Sequence, residues 1–242
     1  MCLLKELEDS PHFPNFLRNY QTDFIGFVVI RFKVYRPFVK YINTLSLSEH
    51  TMTDLCSGSG EPAIGIFRDS NYFNHLILSD KYPRQLLFSD DKINYLSQSM
   101  DILEMEFQSG ICYTMFNAFH HFSNEDKLKI MKRIQKSGSR AFFVEILEPG
   151  IICLLKVLFI TTIGNLLLTP WIRPLSVTRL IFTYLFPVNL FTITYDGIVS
   201  VFKSLSLKKY RKLFSTYDDS IKVFKLKNRL SPLIIIQIQP EI

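Results

Sequence analysis

Small and acidic residues gather in the segment TDLCSGSG, residues 53–60, at the end of an apolar run. Asp54 stands where a buried strand would end, and the small residues follow it. Gly58 and Gly60 tolerate positive φ angles and carry no Cβ, so a ligand can approach the backbone closely at these two positions. These residues together predict a loop that binds a nucleoside-containing cofactor.

Two classes of cofactor fit this loop when it is considered alone. Gly58, Gly60 and Ala63 match the dinucleotide fingerprint GxGxxG/A, and Asp80 lies 20 residues after Gly60, where a ribose-binding acid is expected. A simple turn between a strand and a helix would require neither acid. The pattern therefore favours cofactor binding but leaves open a nicotinamide dinucleotide or an adenosyl cofactor.

Asn117, His120 and His121 follow another apolar run in the segment CYTMFNAFHHF, residues 112–122. Ligands in α/β sheets bind at the carboxyl ends of the strands, where these side chains are expected. A histidine with an ordinary pKa near 6.5 accepts a proton from a phenol, an amine or a carboxylic acid, but it needs no such role to occur there. Glu145 is expected at the end of the next strand, where solvation of the sheet edge is favoured over catalysis.

The surrounding elements predict an α/β sheet. Short apolar runs alternate with helix-like segments, which is typical of βαβ units with parallel strands. The five runs are TMTDLC, HLILSD, INYLSQSMD, GICYTMFN and SRAFFVEIL. Residues 124–136 begin with acids and end with bases, which predicts a helix. Two final apolar segments, SIKVFKLKN and PLIIIQIQP, predict an antiparallel hairpin joined by a short turn at residues 229–232.

These motifs resemble the class I S-adenosylmethionine-dependent methyltransferases across roughly residues 50–148. The segment DLCSGSG resembles the first motif of that superfamily, D-x-G-x-G-x-G, except that Cys56 replaces the first glycine. Asp80 corresponds to the acid that binds the ribose hydroxyls, and Asp101 and Ile102 to the residues at the adenine. The segment CYTMFNAFHHF resembles the fourth-strand motif of small-molecule methyltransferases, which often carries two histidines before a phenylalanine.

The resemblance implies a Rossmann-like fold with a mostly parallel seven-stranded sheet in the order 3-2-1-4-5-7-6, and S-adenosylmethionine as the cofactor. It implies catalytic roles for His120 and His121 and no metal. The residues that it assigns to the cofactor are Asp54, Cys56, Ser57, Gly58, Gly60, Asp80, Lys81, Asp101, Ile102 and Asn117. Cys56 has no basic neighbour in the sequence to lower its pKa, so packing at the loop is expected for it rather than nucleophilic chemistry.

Three regions are expected along the chain. Residues 1–48 form an N-terminal cap of amphipathic helices, residues 49–149 and 201–242 form the methyltransferase core, and residues 150–200 form a hydrophobic insertion. The insertion resembles that of a bacterial branch of the superfamily. Its two apolar stretches are long enough to span a membrane, but Lys156 and Arg179 interrupt them, which argues against spanning. A lid over the substrate, an interfacial membrane surface and a packed inner layer stay open.

Composition narrows the class of partner. The net charge is +6, but the basic residues are interleaved with apolar ones and form no dense arginine tract, so no nucleic-acid partner is expected. No CxxC pair occurs, which indicates neither a zinc site nor a disulfide framework for Cys2, Cys56, Cys112 and Cys153. The first residues lack the apolar core of a secretory signal. We expect a cytoplasmic protein, with peripheral contact at the inner face of the membrane as a further possibility.

The sequence thus predicts an enzyme that transfers a methyl group to a small apolar or aromatic molecule by in-line displacement. The apolar character of the substrate is inferred from the apolar insertion. Two alternatives remain: an NAD(P)-dependent reductase, and a membrane-associated protein that binds the cofactor without turnover. The identity of the substrate and the oligomeric state are left undetermined.

Overall fold

The computed structural model describes residues 4–85, 89–215, 220–228 and 230–240. The described residues form a seven-stranded sheet in the order β3-β2-β1-β4-β5-β7-β6. Its strands are β1 (Thr51–Leu55), β2 (His75–Ser79), β3 (Ile93–Tyr95), β4 (Ile111–Phe116), β5 (Arg140–Glu145), β6 (Ile221–Leu226) and β7 (Leu233–Ile238). The first five strands are parallel, and β7 runs antiparallel to both β5 and β6. This confirms the predicted strand order and the predicted hairpin. Arg229 in the predicted turn and Cys2 lie outside the described residues.

The burial of each strand follows from its position in the sheet. All six residues of β7 are buried, because helices cover both faces of the sheet where β7 lies between β5 and β6. The edge strand β6 instead exposes Lys222 and Lys225, which discourage pairing with another chain. Gln237 is the polar exception within β7, and its Oε1 accepts a hydrogen bond of 2.6 Å from the Tyr41 hydroxyl.

Helices pack on both faces of the sheet and enclose two apolar clusters. The helix predicted at residues 124–136 is α4, and Ser123 caps it by accepting a hydrogen bond of 3.1 Å from the Asp126 amide. The helices in chain order are α1 (Asn15–Arg31), α2 (Arg36–Ile42), α3 (Ala63–Asp69), α4 (Asn124–Lys136), α5 (Ile151–Phe159), α6 (Asn165–Leu168), α7 (Val177–Leu180), α8 (Val188–Lys203) and α9 (Leu207–Leu213).

The N-terminal residues bring α1 against the loop that follows β1. A Cβ at Gly26 of α1 would lie 2.7 Å from the Ser59 Oγ, so the missing side chain permits this close contact. Residues 4–13, which we call the N-terminal strap, run ahead of α1. The backbone amides of Leu7 and Glu8 in the strap donate hydrogen bonds of 2.6 and 3.2 Å to the carboxylate of Asp196 on α8.

The insertion is helical. We call residues 151–195 the apolar lobe. In the lobe, α5 continues through a π-helical turn at Ile160–Gly164 into α6, and α7 continues into a second π-helical turn at Ile181–Leu185. The lobe packs on α1 through a small cluster in which Phe24, Ile172 and Ile193 are buried. Helix α8 runs on to Lys203, past residue 200 where the insertion was expected to end. The division of the chain into three regions stays a prediction.

Candidate active site at the carboxyl ends of the strands

A cavity of about 340 Å³ opens at the carboxyl ends of β1, β2 and β4. Its volume lies within the range of small-ligand sites, about 300–1,000 Å³. Ten of the twelve predicted site residues line it: Cys56, Ser57, Gly58, Asp80, Lys81, Asp101, Ile102, Asn117, His120 and His121. The other two, Asp54 and Gly60, are buried beside the loop and are not among the residues that line the cavity. The fold thus brings most of the predicted site residues together around one cavity.

The loop after β1 has the backbone that its small residues permit. Gly58 and Gly60 have φ angles of +51° and +88°, as the sequence predicted. Cys56 has a φ of +58°, a left-handed conformation that is uncommon for a residue with a side chain. The methyltransferase motif D-x-G-x-G-x-G has a glycine at this position. Cys56 therefore differs from the motif in its side chain but has the positive φ angle that a glycine would allow.

Asp54 supports this loop from below. Its Oδ1 accepts a hydrogen bond of 2.8 Å from the Thr114 hydroxyl on β4. Its backbone carbonyl accepts hydrogen bonds from the Ser57 and Ser79 hydroxyls at 3.0 and 2.9 Å. Burial raises the pKa of Asp54 to about 7, although the hydrogen bonds to its carboxylate oppose the shift. The carboxyl group therefore joins β1 to β4 behind the cavity.

Asp80 and Asp101 lie at the ends of successive strands, but their surroundings differ. Asp80 is held by two backbone amides at 2.8 Å, Gly58 on one oxygen and Tyr82 on the other, and burial raises its pKa. Asp101 pairs with the Lys81 ammonium at 2.8 Å. Partial burial would raise the pKa of Asp101, but the bond from Lys81 outweighs it and the pKa is lowered.

His120 forms a buried pair with Glu145, which stands at the end of β5. The His120 Nδ1 lies 2.7 Å from the Glu145 Oε2, and both side chains are about 1% exposed. The other Glu145 oxygen accepts a hydrogen bond of 2.8 Å from the Phe119 amide, which fixes the carboxylate. Because a carboxylate only accepts, Nδ1 is the donor of this bond, and in the neutral imidazole Nε2 then carries the lone pair. The Nε2 atom has no hydrogen-bond partner among the described residues.

His121 contacts the N-terminal strap instead. Its Nδ1 lies 3.0 Å from an Asp9 oxygen, and its Nε2 lies 3.2 Å from the Glu6 Oε2. Burial would lower the pKa of His121, but these carboxylates outweigh it and raise the pKa to about 10. The pKa of Asp9 falls to about 2 in return, because the bond and charge of His121 outweigh the effect of burial. His121 is therefore an imidazolium at neutral pH and donates from both ring nitrogens.

The same cluster bears on metal binding. Glu6, His120 and His121 place one potential ligand atom each within 4.8 Å of one another. The Lys203 ammonium already lies 3.0 Å from the Glu6 Oε1, and a protonated His121 has no lone pair to offer. Charge balance at this cluster is thus supplied by the chain's own cations.

Further cavity residues were not predicted from the sequence. Arg18 on α1 is buried with its guanidinium carbon 3.7 Å from the centre of the Tyr82 ring, and its Nε donates to the Glu8 carbonyl at 3.0 Å. The strap and α1 therefore close the side of the cavity away from the sheet. Arg18 lies 35 positions before the loop motif, which begins at residue 53, and no local spacing links the two. The one signal in the sequence was the group of acids in the strap, because Glu6 and Asp9 pair with His121.

Comparison with known proteins agrees with the sheet order. No protein-family model matches the sequence, and no curated protein matches it. Among solved structures, the plantazolicin methyltransferase BpumL, in complex with a monoazolic desmethylPZN analog and S-adenosylhomocysteine, superposes at a TM-score of 0.52 with 12% identity, over 94% of this chain and 88% of its own. The pyocyanin biosynthetic protein PhzM gives 0.51 with 10% identity over 88% and 57%. Human N-acetylserotonin methyltransferase, in complex with S-adenosylmethionine, gives 0.50 with 14% identity over 86% and 53%.

The chain therefore has the Rossmann-like fold of the class I S-adenosylmethionine-dependent methyltransferases, as the resemblance of its motifs implied. It spans little more than half the length of several of these structures, including PhzM and the human enzyme. It covers most of BpumL.

Proposed function

We propose that the protein is an S-adenosylmethionine-dependent methyltransferase that acts on a small molecule. One observation carries the proposal: a single cavity joins the glycine-containing loop and Asp80 to the buried Glu145–His120 pair. The first group suits an adenosyl cofactor and the second suits an acceptor that must lose a proton. The neighbouring structures that hold S-adenosylmethionine or S-adenosylhomocysteine on this fold support the choice of cofactor.

The residues of the loop fit such a cofactor. A Cβ on Gly58 would lie 3.0 Å from the Thr22 side chain, so this glycine keeps the passage between the loop and α1 open. We assign Asp80 to the ribose hydroxyls, and Asp101 with Ile102 to the adenine. Ser57 and Asn117 lie between these positions and His120, where the amino-acid end of the cofactor would extend. Asp54 and Gly60 hold the loop in place from outside the cavity.

When bound, S-adenosylmethionine supplies a methyl group on a sulfonium, so the methyl carbon gains a bond to the acceptor as its bond to sulfur breaks. His120 accepts the acceptor's proton on Nε2, and Glu145 holds the proton on Nδ1 and stabilises the resulting imidazolium. The walls of the cavity keep acceptor and methyl in line. His121 is already protonated, so it fixes the strap rather than serving as a base.

The acceptor is proposed to be a phenol, another acidic hydroxyl compound or a carboxylic acid with an apolar or aromatic body. Phe116, Phe122, Ile25 and Val29 line the cavity and would pack against such a body. Among the described residues, none of the apolar lobe lines the cavity, which favours a role for the lobe other than that of a lid. The inference of an apolar substrate therefore rests on the cavity rather than on the insertion.

The alternative of a nicotinamide-dependent reductase fits the sheet less well. Dinucleotide-binding sheets of this kind continue with parallel strands in the order 3-2-1-4-5-6. Here β7 lies between β5 and β6 and runs antiparallel to both. The cytoplasmic location expected from the sequence stays a prediction.

The test is S-adenosylhomocysteine release from S-adenosylmethionine across a panel of phenols and aromatic carboxylic acids. Replacing His120 by Gln removes the base but keeps a similar volume, so turnover of the acceptor should fall by about 10²–10⁴-fold. Affinity for S-adenosylhomocysteine, measured by calorimetry, should change little. The matched control is His75→Gln, an exposed histidine at the start of β2, which should leave both quantities unchanged.

Two results would contradict the proposal. Cofactor binding without turnover of any acceptor in the panel would favour the non-catalytic alternative. Turnover that is equal in wild type and His120→Gln would remove His120 from the chemistry and leave positioning alone as the mechanism.

A further inference from the structure

The apolar lobe, residues 151–195, turns its large apolar side chains outward. It holds 17 of the 25 exposed large apolar side chains among the described residues. Trp171, Leu185 and Phe191 are each more than 65% exposed. Soluble monomers rarely expose a contiguous apolar patch of more than a few hundred Å², and larger patches mark interaction surfaces. The lobe is therefore a candidate docking surface.

The interior of the lobe is polar. Asn165 and Asn189 are each 1% exposed or less, and each is hydrogen-bonded to a buried threonine, Asn165 to Thr169 at 2.6 Å and Asn189 to Thr183 at 3.2 Å. The first bond lies along one helical segment and the second joins the turn after α7 to α8. Buried polar groups with apolar faces outside are the reverse of a helix layer on a water-soluble core. They are the arrangement of helices that are surrounded by lipid.

Charge at the lobe has one sign. From Pro149 to Ser215 the sequence contains a single acid, Asp196, which is 4% exposed and bonded to the N-terminal strap. The exposed charges of the lobe itself are Lys156 and Arg173. Lys156 lies near Leu230, to whose carbonyl it donates at 2.7 Å, and Arg173 lies in the connection before α7. An apolar surface whose exposed charges are both cations complements anionic lipid headgroups.

We infer that the apolar lobe docks this protein onto an anionic lipid bilayer. The segment Ile151–Trp171 has 21 residues, and its most apolar window of 18 residues has a mean hydropathy of 2.3 and is only 17% buried. It does not extend away from the core, because Ile172 packs on Phe24 of α1 just beyond its end. The lobe therefore lies in the membrane interface with its outer face among the acyl chains, and the cavity stays on the aqueous side.

Arg179 does not oppose this arrangement. Its guanidinium is buried and lies 3.0 Å from an Asp23 oxygen, so no unpaired charge enters the lipid. A second copy of the chain is the less suitable occupant. A second lobe would offer Lys156 and Arg173 no carboxylate, because residues 151–195 contain no acid.

The lobe provides its own probe, because Trp171 is the one tryptophan of the chain. The experiment mixes the full chain with vesicles of phosphatidylcholine containing about one third phosphatidylglycerol, or with phosphatidylcholine alone. We expect sedimentation with the anionic vesicles, a blue shift of the Trp171 emission and quenching by brominated acyl chains. Binding should be weaker without the anionic lipid, by about five-fold for each cation that loses its attraction.

Two substitutions report on the lobe. Leu167→Asp and Leu185→Asp each place a charge on its outer face and should weaken vesicle binding at least ten-fold, as expected from the loss of one buried apolar side chain. The charge-matched control is Gln98→Asp, an exposed polar position in the loop after β3, which should bind as the wild type does. Unchanged affinity for S-adenosylhomocysteine verifies that each variant is folded.

Three outcomes would overturn the inference. The wild-type protein could remain in the supernatant with both kinds of vesicle. Alternatively, Leu167→Asp and Leu185→Asp could both bind the anionic vesicles as well as the wild type does. The wild-type protein could instead form dimers in solution that Leu185→Asp dissociates, with no vesicle binding, which would assign the face to a second copy. Because vesicle binding needs neither cofactor nor substrate, its failure would leave the proposed methyl transfer untouched.

Discussion

At the residue scale, two neighbouring histidines receive different chemistry from the groups they face. His120 lines the cavity and is paired on one nitrogen with Glu145, while its other nitrogen has no partner among the described residues. His121 lies among the carboxylates of the strap and is protonated. The sequence grouped the two as a catalytic pair because their spacing along the chain carries no information about these long-range partners. Burial at the end of β5 also turns Glu145 from a solvated edge residue into the group that orients His120.

The protonated state of His121 predicts how stability depends on pH. The pKa of His121 is raised from 6.5 to about 10 in the folded protein, so its contribution to the free energy of unfolding is complete below pH 6.5 and is lost as pH rises through 10. His121→Gln should lower stability by about 2 kcal/mol at pH 6, the value expected for hydrogen bonds to a charged group. The difference from wild type should shrink steadily toward pH 10.

Urea unfolding at pH 6, 7.5 and 9 measures this difference, with His12→Gln as a matched exposed control in the strap. A difference that stays constant over the whole range would mean that His121 is neutral in the folded protein. That result would contradict the conclusion that a charged His121 holds the strap through its ion pairs with Asp9 and Glu6.

At the element scale, the site depends on one loop and on the helix that crosses it. Gly58 follows β1 with a φ of +51°, and Thr22 of α1 lies against it. Position 58 thus favours glycine for two separate reasons: its φ angle is left-handed, and a Cβ there would enter the narrow passage beside Thr22. A second glycine, Gly138 after α4, has a φ of +67° but nothing within 4 Å of its Cβ position, so it carries the first requirement without the second.

Gly58→Ala and Gly138→Ala therefore form a matched pair. Each should lower the free energy of unfolding by about 1–2 kcal/mol through backbone strain. Only Gly58→Ala should also weaken binding of S-adenosylhomocysteine, by at least about ten-fold, because its Cβ narrows the cavity. Calorimetric titration measures this, and equal affinities of the two variants would show that the loop does not bind the cofactor.

The same scale shows what the sequence could and could not predict. The helix α4 and the final hairpin were predicted because hydrophobic period and turn residues act locally. The strand order was implied by the resemblance of the motifs to the methyltransferase superfamily, as were most of the ten predicted residues that line the cavity. The position of Asn117, His120 and His121 also followed from the fact that parallel strands end at one edge of the sheet. The contributions of Arg18 and the strap were missed, since they reach the cavity through packing of α1 that no spacing encodes. The outward apolar face of the lobe was also left open, because an apolar helix looks the same in sequence whether buried or exposed.

At the scale of the whole molecule, a methyltransferase sheet, a helical cap and an apolar lobe divide the work. The sheet and cap enclose the cavity, and the lobe packs on α1 away from it. An enzyme held at a bilayer in this way would meet acceptors that partition into lipid, which agrees with the apolar residues around His120. On this account cofactor binding and membrane docking are separable, and we expect that each can be lost without the other.

The central claim is that the cavity binds an S-adenosyl cofactor, and thermal unfolding with added ligand tests it most directly. S-adenosylhomocysteine at 100 times its Kd should add about 2.7 kcal/mol to the free energy of unfolding. For a chain of this size that corresponds to a rise in Tm of roughly 5–10 °C. The account predicts this rise with S-adenosylhomocysteine and none with NADPH at the same concentration. A rise with NADPH and none with S-adenosylhomocysteine would contradict it and make Gly58 and Asp80 part of a dinucleotide site.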